Sequence, residues 1–352
     1  MKTDCLYFNG YKPCKYHKQE GVHCEDCPHY RPFNKKILII KLQAAGEVIR
    51  NTPLLHKLNE LYPDSRIFWL TNYPELIPKQ YTHKVMKWEM NSILSLLNIE
   101  FDLVLSLDKD LEACSLANMI KAKEKKGFSQ KDGVIVPFDE DCRHKWKTGV
   151  YDDLMKFNTK HYVEELFEIC GFKWQGEEYI LPEYTKPNIE VPKDKPVIGL
   201  NTGAGAAWVT RRFSEQRWLS LIECLKQSYN IILLGGPDED EMNKRLAELT
   251  GAHYYGTFPF KEFIGLVDEC DLIITSVTLA LHIAIGLKKK IILLNNIFPS
   301  NEFHLYGLGK ILEPDLSCRQ CYKSKFDENC HTENCLDLIE NDTIKTTIEE
   351  IL

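Results

Sequence analysis

The run GLNTGAGAAWVTRRF, residues 199–213, sets small residues beside two adjacent arginines. Gly203 and Gly205, with Thr202 and Ala204 next to them, let backbone come close to the oxygens of an anion. Arg211 and Arg212 add two cations able to make paired oxygen contacts, the arrangement a diphosphate needs. A plain surface loop with solvated arginines has the same composition. Further on, DLIITSVTLALHIAIGL puts Ser276 and Thr278 where an apolar run passes into a helix. The start of that helix, Thr278 and Leu279, offers unpaired N–H groups to phosphate. His282 lies one turn after Thr278 on the same face, a position that a packed core histidine also fits. Between these runs, NIILLGGPDEDE carries Glu239 among carboxylates that can bind a ribose or cap a helix.

A second turn lies near the amino-terminal end. In KLQAAGEVIRNTPLLHKLNELYP, residues 41–63, an apolar run ends in small residues and Gly46, and Glu47 stands where the turn enters a helix. The spacing is neither GxGxxG nor a P-loop. A carboxylate in a first helical turn complements the macrodipole, and at the end of a strand it also faces the ligand side of an open sheet.

Two cysteine groups stand apart from these turns. Cys318, Cys321, Cys330 and Cys335 lie within CRQCYKSKFDENCHTENC, and four thiolates so close in sequence suit tetrahedral zinc or iron, with free thiols as the alternative. Cys5, Cys14, Cys24 and Cys27 precede the first strand, with His17, His23 and His29 as alternative ligands. That polar segment is too small for its own core, so a structural zinc, iron or iron–sulfur group is expected to hold it. The remaining cysteines, Cys114 and Cys270 among them, fall in helix or strand patterns and read as packing residues.

The elements that position these residues are read from short apolar runs alternating with helix-length amphipathic stretches. One set comprises 36–42, 66–71 and 101–108; the other 196–202, 230–236, 271–276 and 290–296. Near-continuous apolar strands alternating with helices predict parallel sheets covered on both faces, hence α/β and two doubly wound, Rossmann-like domains. The proline-rich LPEYTKPNIEVPKDKP has the composition of an exposed linker. The expected organisation is a cysteine-rich segment at 1–34, a first domain at 35–185 and a second at 195–352 with its cysteine loop at 318–335. The site is expected in the cleft that the two domains face. LIENDTIKTTIEEIL reads as a closing amphipathic helix.

A length of 352 residues, 44% hydrophobic and 27% charged, excludes disorder and fibrous classes. The net charge of −7 gives no general attraction to nucleic acid or an anionic membrane. No run has the length of a membrane span or a signal peptide, so a cytoplasmic protein is expected, with membrane contact at most peripheral and oligomerisation left open. In that compartment thirteen cysteines are not mainly disulfides.

Taken in order, ILIIKLQAAGEVIRNTPLLHKLNELYPDSRI, GLNTGAGAAWVTRRFSEQRW, ILLGGPDEDE and TLALHIAIGL resemble glycosyltransferase family 9, the ADP-heptose:lipopolysaccharide heptosyltransferases, over residues 36–352. The resemblance implies the two-domain GT-B fold, an inverting mechanism without a catalytic divalent metal, and an ADP-linked donor held mainly by the second domain. The acceptor would be a hydroxyl of a glycan, a lipid-linked glycan or a protein. Glu47 falls where the family has a catalytic aspartate, and Arg211 or Arg212 where it has a basic residue facing the departing diphosphate. The remaining donor contacts fall on Thr202, Gly203, Ala204, Gly205, Glu239, Thr278, Leu279 and His282. Val277 replaces the polar residue usual before Thr278. The cysteine groups are similar to those of the autotransporter heptosyltransferases, relatives that glycosylate protein and hold an iron on four cysteines. Two other classes fit the same pattern: a metal-bearing module that binds nucleotide sugar without turnover, and a nucleotide-sugar epimerase.

Overall fold

The computed structural model describes residues 1–205, 208–330, 332 and 334–352; Ala206 and Ala207 of the glycine loop and His331 and Glu333 of the cysteine loop lie outside them. The chain forms two compact units. The first comprises 1–43, 51–146 and 166–177, the second 44–50, 147–165 and 178–352.

The first unit is built on strands β1 (Lys35–Ile40), β2 (Ser65–Thr71), β3 (Lys84–Lys87), β4 (Glu100–Ser106), β5 (Lys121–Lys131) and β6 (Val134–Pro137). Their order is β3-β2-β1-β4-β5-β6. All neighbours are parallel except β5 and β6, which form an antiparallel pair. In the central strand Ile37, Leu38, Ile39 and Ile40 are all buried, as a strand covered on both faces requires. The sequence pattern missed β5, because KAKEKKGFSQK has no apolar run and its first residues are largely exposed. Backbone pairing with β4, from Glu100↔Lys121 to Ser106↔Gly127, holds it in the sheet. At the ends of β1 and β4, the buried Lys41 Nζ donates to Asp108 Oδ1 at 2.6 Å.

The second unit is built on the parallel strands β7 (Val197–Asn201), β8 (Asn230–Leu234), β9 (Leu272–Thr275), β10 (Lys290–Leu294) and β11 (Gly309–Leu312). The order β11-β10-β9-β7-β8 puts β7 and β9 side by side, so the loops after both strands lie next to each other. Helix Glu215–Leu225 starts at Ser214, whose hydroxyl accepts from Arg217 N, and it buries Trp218, Leu221, Ile222 and Leu225 against the sheet. The closing helix, Asn341–Ile351, adds Ile344 and Ile348 to the same core.

The proline-rich linker is less free than its composition suggests. Thr185 N donates to Lys261 O, and Lys186 and Lys193 pair with Glu269 at 2.6 and 2.7 Å. A Cβ at Gly265 would strike the backbone at Thr185 and Lys186, so this glycine lets the chain lie against helix Phe260–Asp268. No helix among the described residues is long and apolar enough to cross a membrane.

Gly199, in the middle of β7, is closed in by Ile273, Leu234 and Cys270 side chains 2.7–2.9 Å from where a Cβ would stand. Gly199→Ala therefore overpacks the second core, and urea unfolding should show a loss of about 1–3 kcal/mol. An unchanged midpoint would mean that this core is looser than described.

Candidate active site

Glu47 belongs to the short helix Ala45–Arg50, which clusters with the second unit. The helix packs on helix Leu279–Gly286 so closely that a Cβ at Gly46 would stand 2.6 Å from His282 Cδ2 and 3.4 Å from Leu279 Cα. Glycine is therefore what this approach requires, apart from any phosphate role. The same helix presents Glu47 and Arg50, and Arg50 Nη1 donates to Glu47 Oε1 at 3.0 Å. It also donates to Glu302 Oε1 at 3.1 Å, while Nη2 donates to the Glu302 carbonyl at 3.0 Å. The guanidinium lies over the Tyr162 ring, 3.7 Å from its centroid.

Arg50 is buried, its side chain 4% exposed, while Glu47 remains 30% exposed. Burial opposes the Arg50 charge, but Glu47 and then Glu302 outweigh it and hold the guanidinium above its ordinary pKa. A cation that cannot shed its proton thus fixes one oxygen of Glu47 from the protein side. Burial also raises the neighbouring Tyr179 hydroxyl above its usual range and keeps it protonated.

Arg211 stands in the same electrostatic neighbourhood. Its Nη1 donates to Val277 O at 2.8 Å and its Nη2 to Ala204 O at 3.1 Å, tying together the loops that follow β9 and β7. Burial drives its pKa down to about 10; Glu47 and Glu302 oppose the fall and Arg212 adds to it. At the departure noted in the sequence, Val277 contributes its carbonyl to Arg211. Arg212 Nη2 donates to Gly205 O at 2.6 Å. Both arginines are thus braced by the glycine loop.

The other expected donor residues divide into two sets. Asn201 Nδ2 donates to Gly203 O at 3.0 Å and Thr278 Oγ1 at 3.2 Å, and Thr275 and Thr278 hydroxyls are 2.9 Å apart, so Gly203, Thr278 and Leu279 meet at the carboxyl ends of β7 and β9. Thr202 turns inward: its hydroxyl donates to Asn243 Oδ1 at 2.7 Å. Glu239 is buried, accepts from Gly236 N at 3.0 Å, and lies where a Cβ on Gly203 would collide with its carboxylate. It caps the turn as well as bordering the loop. His282 is 3% exposed and stacks on Tyr179, with ring centroids 6.0 Å apart. Burial first, then Arg50, pushes its pKa down to about 3, so the imidazole is neutral. Any contact it makes to phosphate is that of a neutral donor.

The cysteine loop supports the arginines from behind. Thr210 Oγ1 donates to Lys323 O at 2.6 Å, Asn296 Nδ2 to Thr210 O at 2.7 Å, and Asn334 Nδ2 to Arg212 O at 2.8 Å. Cys318, Cys321, Cys330 and Cys335 line one cavity of about 40 Å³, where Asn296 Nδ2 also lies 3.0 Å from Cys335 Sγ. Among the described residues no three His, Cys, Asp or Glu side chains are gathered closely enough to hold a metal ion.

Arg50, Glu302 and Asn201 were not found from the sequence. Arg50 had a local signal, its spacing of three from Glu47 on one helix. Glu302 lies 252 residues from Arg50 and had none.

The two sheets, parallel but for the β5–β6 pair, give the chain a GT-B-like fold, and its family model makes it a glycosyltransferase. The chain belongs to glycosyltransferase family 9 (heptosyltransferase), whose model matches residues 92–307. It is similar to the lipopolysaccharide core heptosyltransferase OpsX of Haemophilus influenzae, 21% identical over 276 residues that cover 73% of this chain and 78% of that protein. The structure of E. coli ADP-heptose lipopolysaccharide heptosyltransferase II superposes with a TM-score of 0.64 at 15% identity, over 90% of this chain and 98% of that one. TibC, an iron-containing dodecameric glycosyltransferase of enterotoxigenic E. coli, superposes with a TM-score of 0.57 at 12% identity, over 91% and 76%.

Arg50→Met leaves two carboxylates facing each other around a buried apolar chain and should cost about 3–5 kcal/mol in denaturant unfolding. Adding Glu302→Gln should recover part of that loss, and a double variant no more stable than the single one would contradict the pairing. His282 has a folded pKa of about 3 against an ordinary 6.5, so the unfolded chain takes up its proton first as pH falls. Its contribution is intact above pH 6.5 and lost progressively toward pH 3. Between pH 7 and 4, His282→Gln should therefore lose about 2–3 kcal/mol less stability than the parent. Parallel pH profiles would rule this out.

Proposed function

We propose that the protein is an inverting heptosyltransferase that moves a heptose, or a related sugar, from an ADP-linked donor to a hydroxyl of a glycan, lipid-linked glycan or protein, in the cytoplasm. Glu47 is the general base. Its carboxylate keeps one oxygen on Arg50 and leaves the side chain partly exposed, as a group must be that accepts a proton from an incoming hydroxyl. The observation that carries the reading is the buried Glu47–Arg50–Glu302 cluster within electrostatic reach of Arg211.

In this reading the acceptor oxygen loses its proton to Glu47 and attacks the anomeric carbon, the bond to the diphosphate breaks, and the configuration inverts. Charge grows on the leaving oxygens, and Arg211 and Arg212, already held by Ala204, Val277 and Gly205 carbonyls, meet it without reorganising. Backbone at Gly203, Ala204, Gly205, Thr278 and Leu279 supplies the other phosphate donors, and Glu239 lies near enough to the glycine loop to meet the nucleoside. The donor assignment is supported by two similar structures: one is of an ADP-heptose heptosyltransferase, and one of TibC is in complex with ADP-D-β-D-heptose.

Cys318, Cys321, Cys330 and Cys335 would hold a structural iron or zinc. Four thiols around one small cavity suit such an ion, and it would stiffen the loop that braces Arg211 and Arg212. No reaction step is assigned to it.

Glu47→Gln should lower transfer from ADP-heptose by about 10²- to 10⁴-fold while ADP affinity stays within a few-fold of the parent. Arg211→Met should lose about 10²- to 10³-fold and weaken diphosphate binding as well. Equal transfer by Glu47→Gln would remove the base assignment.

A further inference from the structure

The amino-terminal segment carries a second cysteine cavity that the transfer reaction does not use. Cys5, Cys14, Cys24 and Cys27 all line a single cavity of about 340 Å³, far larger than the 40 Å³ enclosed by the other four thiols. One water needs only about 10–15 Å³ of such volume, so a lone ion would leave most of this space unfilled. A zinc ion would draw its four sulfurs to about 2.3 Å from itself. As in the other cysteine group, no three ligating side chains among the described residues are gathered at single-ion distance here, so the size of the cavity is what separates the two.

Of the three histidines on the cavity wall, His23 makes an edge contact with His17, and the other two have further partners. His29 Nε2 is 2.7 Å from Glu20 Oε2, and its ring stacks on Tyr16 at 3.8 Å. His17 Nδ1 is 3.1 Å from Val22 O. Cys14, at the start of helix Lys15–Glu20, accepts from His17 N at 3.5 Å, and N–H contacts of this kind stabilise thiolate sulfur. Tyr7, Phe8, Tyr16 and Tyr30 surround the space with apolar faces, and Lys2 and Lys12 bring positive charge to its wall. All thirteen cysteines are free thiols.

We infer that Cys5, Cys14, Cys24 and Cys27 hold a cubane iron–sulfur cluster. Four thiols on the wall of one roomy, partly apolar cavity match a group several atoms across, with one thiolate on each iron, each thiol giving its proton to solvent. The cluster's role is to hold the segment together. The segment is fastened to the rest of the first unit where Arg66 Nη2 donates to Cys5 O at 2.5 Å and Phe8 O at 2.6 Å, and Asn34 N donates to Asp64 O at 2.9 Å. A polar stretch with one six-residue helix is too small for a core of its own, and the cluster adds to these few hydrogen bonds.

The test is iron and acid-labile sulfide analysis of full-length chain, purified without oxygen or reconstituted with equal ferrous and ferric iron and sulfide. About four sulfides per chain are expected, with a broad visible absorption that bleaches on reduction. Cys24→Ala/Cys27→Ala should lose both signals, while Cys318→Ala/Cys321→Ala keeps them. X-ray absorption of the parent should show iron–iron scattering, which does not depend on any variant folding. Zinc, or iron without sulfide, would overturn the inference, as would a small molecule filling the cavity with the thiols unligated. So would sulfide retained in Cys24→Ala/Cys27→Ala. Cys24→Ala/Cys27→Ala should also make the chain cleavable by trypsin after the exposed Lys15 and Lys18 while ADP-heptose transfer persists, which separates this cluster from the donor site.

Discussion

A guanidinium sealed from water between two carboxylates is the constraint around which the second unit is organised. Arg50 is always charged, so burying it demands the two carboxylates set beside it, Glu47 and Glu302. The short helix that carries it must lie against helix Leu279–Gly286, and only Gly46 permits that approach. Burial keeps His282 neutral, and the same cation adds to that effect. One buried charge thus holds Glu47 and calls for glycine at 46.

The cationic side is built differently. Arg211 and Arg212 rest on backbone carbonyls of the loops after β7 and β9, and their own segment is fastened to the cysteine loop through Thr210, Asn296 and Asn334. Carbonyl dipoles can hold a guanidinium in place without neutralising it. A carboxylate in the same position would cancel the charge that a departing diphosphate needs. This is a physical reason for the backbone contact at Val277 to suffice there.

Much of this architecture was legible before the fold was known. The seven apolar runs correspond to β1, β2, β4, β7, β8, β9 and β10, because a parallel strand buried on both faces must be apolar throughout. Missed were β3, β5, β6 and β11, which lie toward sheet edges or, in β5, show polar side chains along much of their length. The turns at Gly46, Gly203 and Thr278 were visible as strand–small residue–helix patterns. Their partners were not: Glu302 and Asn243 reach the site through tertiary folding, and no local periodicity marks them. Thr202 looked like a phosphate contact from its position, yet its hydroxyl is spent on Asn243. The cysteine groups could be counted in the sequence, but the different sizes of the two cavities could not.

The most direct measurement is a calorimetric titration of the metal-analysed protein with ADP-heptose beside UDP- and GDP-linked sugars. The account predicts that the ADP-linked donor binds best. Preference for another nucleotide would leave the fold and the base in place with the wrong donor, and failure to bind any of the three would contradict the proposed transfer.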